Sequence, residues 1–211
     1  MRTLITSLGS LCLVGLLALP SQAADTYAPS KLFLMKDPGS EEAKKIVWKI
    51  KDKDYLGGEV SIVGDPVTNG ATLRVTLLVS THCSQPPCDE GGGDQCFDLP
   101  ASGWSPISSL GFKYKDKGLA NGPVQLASVK RTPSGVFFVK AKLKGPGIDL
   151  YLEDELGFYG AILALGGGDA YGSGSGGATP KPNDSRTFRV RNEDGTASYP
   201  PPCSPSGAFL D

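Results

Sequence analysis

The sequence predicts an all-β fold, namely a single antiparallel β-sandwich with a jelly-roll-like arrangement of about ten strands; a closed β-barrel is the alternative. The first observation behind this is that apolar and polar residues alternate in short runs, which glycine and proline separate. The second is that no long window has the period of an amphipathic helix. The 28 glycines and 17 prolines among 211 residues supply the turns that many short strands need.

Residues 1–23 have the pattern of a cleaved secretory signal. Arg2 supplies the positive charge, an apolar run covers 4–19, and small residues end the segment at Ala23. The apolar run is shorter than the ~20 residues that a membrane-spanning helix requires. We therefore expect a secreted or periplasmic protein with no membrane span, in which 24–211 form a single domain.

Four runs are the clearest candidates for half-buried antiparallel strands, because apolar and polar side chains alternate along them. These runs are 45–51, 71–79, 111–117 and 136–144. Less regular candidates are 31–35, 59–63, 124–130, 149–153, 158–165 and 186–191. A short helix is also expected at 40–45, with Ser40 as its N-cap.

Two glycine-rich segments are predicted to be surface loops. One is 89–94, and the other is 166–182, which is rich enough in glycine and serine to behave as a flexible linker. The stretch 172–177 formally matches the dinucleotide-binding pattern G-x-G-x-x-G, but that pattern must open a helix. Pro180 and Pro182 follow it instead, so no nucleotide site is expected. The remaining chain is too short for a second domain and should return to the same sheet.

Cysteine usage fits the export prediction. An even number of cysteines in an exported chain favours two disulfides, among three possible connectivities. In one arrangement Cys83 and Cys88 close a small loop, and Cys96 holds the C-terminal tail through Cys203; the sequence leaves the pairing open. The cysteines beyond the predicted signal are Cys83, Cys88, Cys96 and Cys203.

Metal binding is the alternative use of the same region. His82 could join the cysteines around zinc, but zinc sites use paired C-x2-4-C units, and this cluster has one loose pair at most. Asp89, Glu90 and Asp94 could offer oxygen ligands to calcium, although solvated acids in a turn are the simpler interpretation. We therefore expect no metal and no other cofactor.

The charge balance excludes a strongly basic nucleic-acid-binding protein, because 21 Lys and Arg stand against 22 Asp and Glu. Lysines nevertheless collect on the polar side of three predicted strands. Were these strands neighbours, the lysines would form a basic surface able to bind an anionic polymer such as an extracellular polysaccharide. Alternatively, they solvate the sheet and protect its edges. The residues at issue are Lys45, Lys49, Lys51, Lys113, Lys115, Lys117, Lys140, Lys142 and Lys144, with Lys113, Lys115, Lys140 and Lys142 as the principal candidates.

Little in the sequence indicates catalysis. His82 is the single histidine, and Asp149 and Glu153 would lie about 13 Å apart along a strand, beyond the roughly 5 to 9.5 Å that glycosidases use. Trp48 is in phase with a predicted core, whereas Trp104 could be a platform for sugar stacking. The sequence thus favours a non-enzymatic exported module for binding. A purely structural or adhesive surface protein is the alternative, followed by a secreted hydrolase.

Several blocks spread along the chain resemble an uncharacterised group of secreted bacterial domains. They are 31–37 (KLFLMKD), 64–66 (GDP) with 70–73 (GATL), 97–104 (FDLPASGW), 112–116 (FKYKD), 122–123 (GP) and 140–142 (KAK). The resemblance implies export and a β-rich fold, and it implies no activity or ligand. In that group a tyrosine-cysteine pair often follows the late strand and a terminal cysteine closes the domain. Here Gly172 follows Tyr171, so Cys203 needs another partner.

Overall fold

The computed structural model describes residues 25–53, 61–79, 92–152, 156–176, 180–193 and 201–203. Within these ranges thirteen strands form two sheets that do not close into a barrel. The predicted all-β sandwich is therefore confirmed. The predicted signal at 1–23 and the residues His82, Cys83 and Cys88 lie outside the described ranges.

Short strands make up most of the regular structure in the described ranges. A single-turn helix, α1 (Pro66–Asn69), and 3-10 turns at Glu41–Ala43, Ala101–Gly103 and Ser108–Leu110 accompany them. The strands are β1 (Asp25–Tyr27), β2 (Ser30–Lys36), β3 (Lys45–Asp52), β4 (Ala71–Val79), β5 (Gly92–Leu99), β6 (Trp104–Pro106), β7 (Gly111–Lys115), β8 (Val124–Arg131), β9 (Phe137–Lys144), β10 (Leu156–Leu165), β11 (Ala170–Gly176), β12 (Asn183–Asp184) and β13 (Thr187–Glu193).

The sheets differ in size. The smaller has the order β1-β11-β10-β4-β5, and the larger has the order β12-β13-β2-β3-β9-β8-β7-β6. Neighbouring strands pair antiparallel, except that β1 runs parallel to β11. The larger sheet ends in the short strands β12 and β6, and Pro106 in β6 withholds an N–H from any further strand, which limits pairing with another chain.

Aromatic side chains from both sheets meet in the core. Phe33 of β2 stacks on Tyr159 of β10 with ring centroids 4.3 Å apart, and Phe137 of β9 lies 5.2 Å from Tyr171 of β11. The indole Nε1 of Trp48 donates a hydrogen bond of 2.6 Å to the Oγ of Ser173. The prediction that Trp48 belongs to the core is thus confirmed.

Trp104 also lies inside the protein. It is 6% exposed, and its Nε1 donates to the carbonyl oxygen of Leu99 at 3.2 Å. Its ring packs 5.6 Å from that of Tyr114. The idea that Trp104 is a platform for sugar stacking is therefore wrong, because the indole is occupied by core contacts.

The glycine-rich segment 166–182 contains a buried strand, which corrects the prediction of a flexible loop. Residues 170–176 form β11 and pair with both β10 and β1. Small side chains are required here because large ones face them: Ser173 lies against Trp48, and a Cβ on Gly172 would come within 2.9 Å of the Tyr27 ring. Residues 166–168 form a turn, and 180–182 precede β12.

Two of the less regular strand candidates are wrong in their described parts. Residues 61–63 and 149–152 have no strand structure. The second segment instead covers the edge of β5, where Tyr151 N–H donates to the Gly92 carbonyl at 3.1 Å and Asp149 N–H donates to the Gln95 side chain at 2.8 Å. Its alternating apolar residues are buried there without forming a ladder.

Two local predictions also need correction. The expected helix at 40–45 is a 3-10 turn, and Ser40 donates its hydroxyl to Glu42 instead of capping the backbone. The predicted loop at 89–94 overlaps β5, which begins at Gly92 with a backbone φ of +91°. Glycine adopts this left-handed conformation without strain, so a glycine-rich start is compatible with a strand.

Candidate functional site

The three lysine-bearing strands of the sequence prediction lie in one sheet. β3 pairs with β9, β9 pairs with β8, and β8 pairs with β7. Since side chains alternate between the two faces of a strand, burying Ile46, Trp48, Val139 and Ala141 in the core turns the lysines of β3 and β9 to the outside.

We call the outward lysines of these four strands the lysine face. It contains eight of the nine lysines that the sequence analysis grouped; Lys117 follows the end of β7. It also contains Lys130, which was not predicted from the sequence because apolar and polar residues alternate poorly in the segment that forms β8. The lysine face is Lys45, Lys49, Lys51, Lys113, Lys115, Lys130, Lys140, Lys142 and Lys144.

The strand register brings several of these lysines side by side. Lys45 is paired with Lys144, and Lys49 is paired with Lys140. Directly opposite residues on neighbouring strands have Cβ atoms about 4.5–5.5 Å apart, so these are close like-charge pairs.

The four principal candidates of the sequence analysis flank β8. Ser128 of β8 is paired with Lys140 on one side and with Lys113 on the other. Two residues earlier in β8, Leu126 is paired with Lys142 on one side and with Lys115 on the other. Two strand spacings of about 4.8 Å each separate the members of each lysine pair. The structure therefore brings Lys113, Lys115, Lys140 and Lys142 together, with β8 between them.

The lysine face contains no acidic partner among the described residues. None of its nine lysines forms an ion pair there, because the ion pairs of the described chain involve Lys44 and Arg74. The basic character extends further across the sheet, through outward residues of β2 and β13. These are Lys36, Arg189 and Arg191.

The crowding of positive charge affects Lys113 most clearly. The charge of the neighbouring Lys115 is the largest cause that lowers the pKa of Lys113 below its ordinary value of 10.5. Partial desolvation and a side-chain hydrogen bond with Lys115 add to this effect, and so do the charges of Lys140 and Lys117. The ammonium groups of β7 and β9 thus influence each other across β8.

A shallow cavity of about 640 Å³ lies within the lysine face. Its charged lining comes from five strands of the sheet, including Lys31 of β2, and its apolar lining includes the outward ring of Phe138. The lining includes Lys49, Lys51, Lys113, Lys130, Lys140 and Phe138, with Ile107, Leu126 and Ser128.

The outer face of the smaller sheet is different in character. Arg74 of β4 donates from Nε to Asp94 of β5 at 2.8 Å and from Nη1 to the carbonyl of Pro201 at 2.7 Å. A disulfide joins Cys96 to Cys203 with Cα atoms 6.1 Å apart, so the tail 201–203 lies across this sheet. This disulfide is one of the pairings that the sequence left open, in which Cys96 holds the C-terminal tail through Cys203. Arg74 and Asp94 on this side are thus paired with each other and partly covered by the tail.

A cavity of about 820 Å³ lies beside α1, the turn at 166–168 and the C-terminal tail. Asp98 is the single carboxylate among its described lining residues. The two carboxylates that a glycosidase mechanism needs are therefore not brought together there. Asp149 is exposed and accepts a short hydrogen bond from the Tyr151 hydroxyl, while Glu153 lies outside the described ranges.

Metal ligands do not cluster in the described part of the chain: no group of three or more His, Cys, Asp or Glu residues is placed to hold an ion. Asp94, one of the possible calcium ligands, is engaged by Arg74 and by the Thr76 hydroxyl at 2.7 Å. Asp89 and Glu90 lie outside the described ranges.

Comparison with known proteins adds no relative. The chain matches no protein-family model, no curated protein and no solved structure. The resemblance to a group of secreted domains therefore stays a prediction. Among the described residues, no helix has the length and apolar character needed to cross a membrane.

Proposed function

We propose that this protein is an exported binding module whose lysine face holds an anionic polymer, specifically an acidic polysaccharide of the cell envelope or the extracellular space. The observation that carries the proposal is charge segregation. The chain as a whole is almost neutral, with a formal net charge of −1. The outward positions of β3, β9, β8 and β7 nevertheless hold nine lysines and no carboxylate.

Protection of sheet edges does not account for this arrangement. Lysines protect a sheet when they lie on its edge strands. The edges of the larger sheet are β12 and β6, whereas the lysine face lies on four interior strands. Solvation of the sheet surface does not require one sign of charge, because acidic side chains would solvate it equally well. Opposite charges on neighbouring strands would also stabilise the sheet, whereas like charges destabilise it. The presence of like-charge pairs such as Lys49 and Lys140 therefore supports a binding role.

The residue type also indicates the kind of ligand. Lysine ammonium groups act as mobile point charges, whereas the forked guanidinium of arginine recognises a single planar anion with fixed geometry. A flat array of lysines on one sheet face suits a long ligand that carries many anionic groups and makes several weak contacts. The signal-like segment 1–23 supports a secreted or periplasmic location, where acidic polysaccharides occur.

A binding titration with polygalacturonate tests the proposal, with neutral dextran as the matched uncharged polymer. We expect polygalacturonate to bind with an affinity that falls steeply with salt, because ions screen exposed charges beyond about 8 Å at physiological ionic strength. The double variant Lys140→Glu and Lys142→Glu should abolish binding. Lys181→Glu, an exposed substitution in the turn before β12, should change it little.

Two results of this titration would contradict the proposal. If polygalacturonate does not bind at low salt, or binds the wild-type protein and the double variant equally, the lysine face is not a polyanion site. A structural or adhesive surface role would then replace the proposal. Cleavage of the polymer during the titration, seen as new reducing ends, would instead indicate the hydrolase alternative.

A further inference from the structure

The cavity in the lysine face contains an apolar surface that binding of bare charge does not require. Phe138 is an outward, half-buried side chain of β9, and the register places it between Lys51 of β3 and Lys130 of β8. Leu126 and Ile107 add apolar area to the same cavity. An anion with no apolar part would gain nothing from these three side chains.

The two flanking lysines are directed at the Phe138 ring. The Nζ of Lys51 lies 5.7 Å from the ring centroid, and the Nζ of Lys130 lies 5.5 Å from it. Cation–π contacts at exposed sites are worth only about 0.5–1 kcal/mol each, so a ligand can displace them at little cost. In the free protein these contacts hold both ammonium groups close to the ring.

Further ammonium groups surround this ring. Lys140 follows Phe138 by two residues on the same face of β9, and it is paired with Lys49 of β3. Lys113 lies across Ser128 from Lys140. The small Ser128 side chain leaves the space between these lysines open. The cavity thus has an apolar centre at Phe138 and positive charge on several sides.

We propose that this cavity is a subsite for one acidic sugar residue of the bound polymer, which packs its C–H face against Phe138 and directs its carboxylate to the surrounding ammonium groups. A pyranose ring with a carboxylate has both the apolar face and the charge that the cavity provides. Polyphosphate has the charge without the apolar face. An acyl chain would require an enclosed apolar pocket, whereas this cavity is shallow and rimmed by lysines.

This inference rests on the proposed function, and two probes of different chemistry test the subsite and the binding of polyanions separately. The probes are an oligogalacturonate and inorganic polyphosphate, each titrated against the folded protein at the same ionic strength. The variant Phe138→Ala should weaken oligogalacturonate binding by roughly five- to tenfold, because the ring no longer buries apolar area against the sugar. It should leave polyphosphate binding unchanged. Phe138→Tyr keeps the aromatic face and should restore the affinity for oligogalacturonate.

The control variant is Val47→Ala, which shortens another outward, half-buried apolar side chain of the same sheet that does not line the cavity. It should alter neither titration. If Phe138→Ala leaves oligogalacturonate binding intact, the subsite is wrong while the lysine face still binds polyanions. If neither probe binds the wild-type protein, the proposed function fails as well. Phosphatidylglycerol vesicles that bind in a Phe138-dependent way, without binding of the oligosaccharide, would assign the cavity to lipid and overturn the inference.

Discussion

Lys49 of β3 lies directly opposite Lys140 of β9 on the solvent side of the larger sheet. Neither lysine has a carboxylate partner among the described residues. Like charges at opposite positions destabilise a sheet, whereas opposite charges there contribute about 0.2–1 kcal/mol. The pair therefore lowers the stability of the free protein, and a bound anion would relieve the repulsion.

The first prediction is that Lys49→Glu stabilises the free protein and weakens polyanion binding. Replacing repulsion with an attractive pair across the two strands should raise the free energy of unfolding by roughly 0.5–1 kcal/mol. Urea unfolding measures the gain, and a polygalacturonate titration measures the loss of affinity. Lys181→Glu has the same charge change away from the lysine face and should show neither effect. A destabilised Lys49→Glu variant would contradict this account.

The second prediction concerns the proton affinity of Lys113. Its pKa lies below 10.5 in the folded protein, chiefly because of the Lys115 charge. Repulsion is fully present at lower pH, where Lys113 is charged in both the folded and unfolded states. As the pH rises from the lowered pKa towards 10.5, the folded protein releases this proton before the unfolded chain does, and the folded state gains relative stability.

NMR titration of the Lys113 side chain checks this directly. A bound polyanion should raise the Lys113 pKa, because negative charge favours the ammonium form. Lys115→Ala should also raise it in the free protein, whereas Lys144→Ala should not, since Lys144 is not among the charges that lower it. A Lys113 pKa that is the same with and without polygalacturonate would argue against contact at this residue.

The lysine face was partly predictable from sequence. Alternation along β9 determines that Phe137 and Val139 are buried and that Phe138 and Lys140 face outward, because side chains alternate with a period of two. Chain order does not determine strand order, so it could not show that β3 pairs with β9 and that Lys49 lies opposite Lys140. That pairing joins segments distant in the sequence, whereas β7, β8 and β9 follow one another along the chain.

The buried strand β11 was beyond local sequence reasoning for another reason. Glycine and serine have low strand propensity and high turn propensity, so 170–176 has the composition of a loop. Its position depends on Trp48 and Tyr27, whose large side chains leave room for small residues only. The composition of 170–176 gives no information about the side chains that face it, so it could not predict that this segment is a buried strand.

The third prediction is that the Cys96–Cys203 disulfide contributes strongly to stability. It joins residues separated by 107 positions, so its removal frees a long loop in the unfolded chain. Replacing both cysteines with serine should lower the free energy of unfolding by roughly 2–5 kcal/mol. Denaturant unfolding of the variant and the wild-type protein measures the difference. Equal stabilities, or peptide mapping that pairs Cys96 with another cysteine, would contradict the structure.

The fourth prediction tests the contact between the sheets. Trp48 Nε1 donates its hydrogen bond to Ser173, and both side chains are fully buried. Ser173→Ala removes the acceptor without adding bulk, so the indole N–H is left without this partner at a cost of about 1–3 kcal/mol. Chemical unfolding monitored by tryptophan fluorescence should show the loss. Ser109→Ala, at an exposed position in a turn, is the matched control and should be neutral. If Ser173→Ala unfolds like the wild-type protein, another group satisfies the indole and β11 does not depend on this serine for its place against β3.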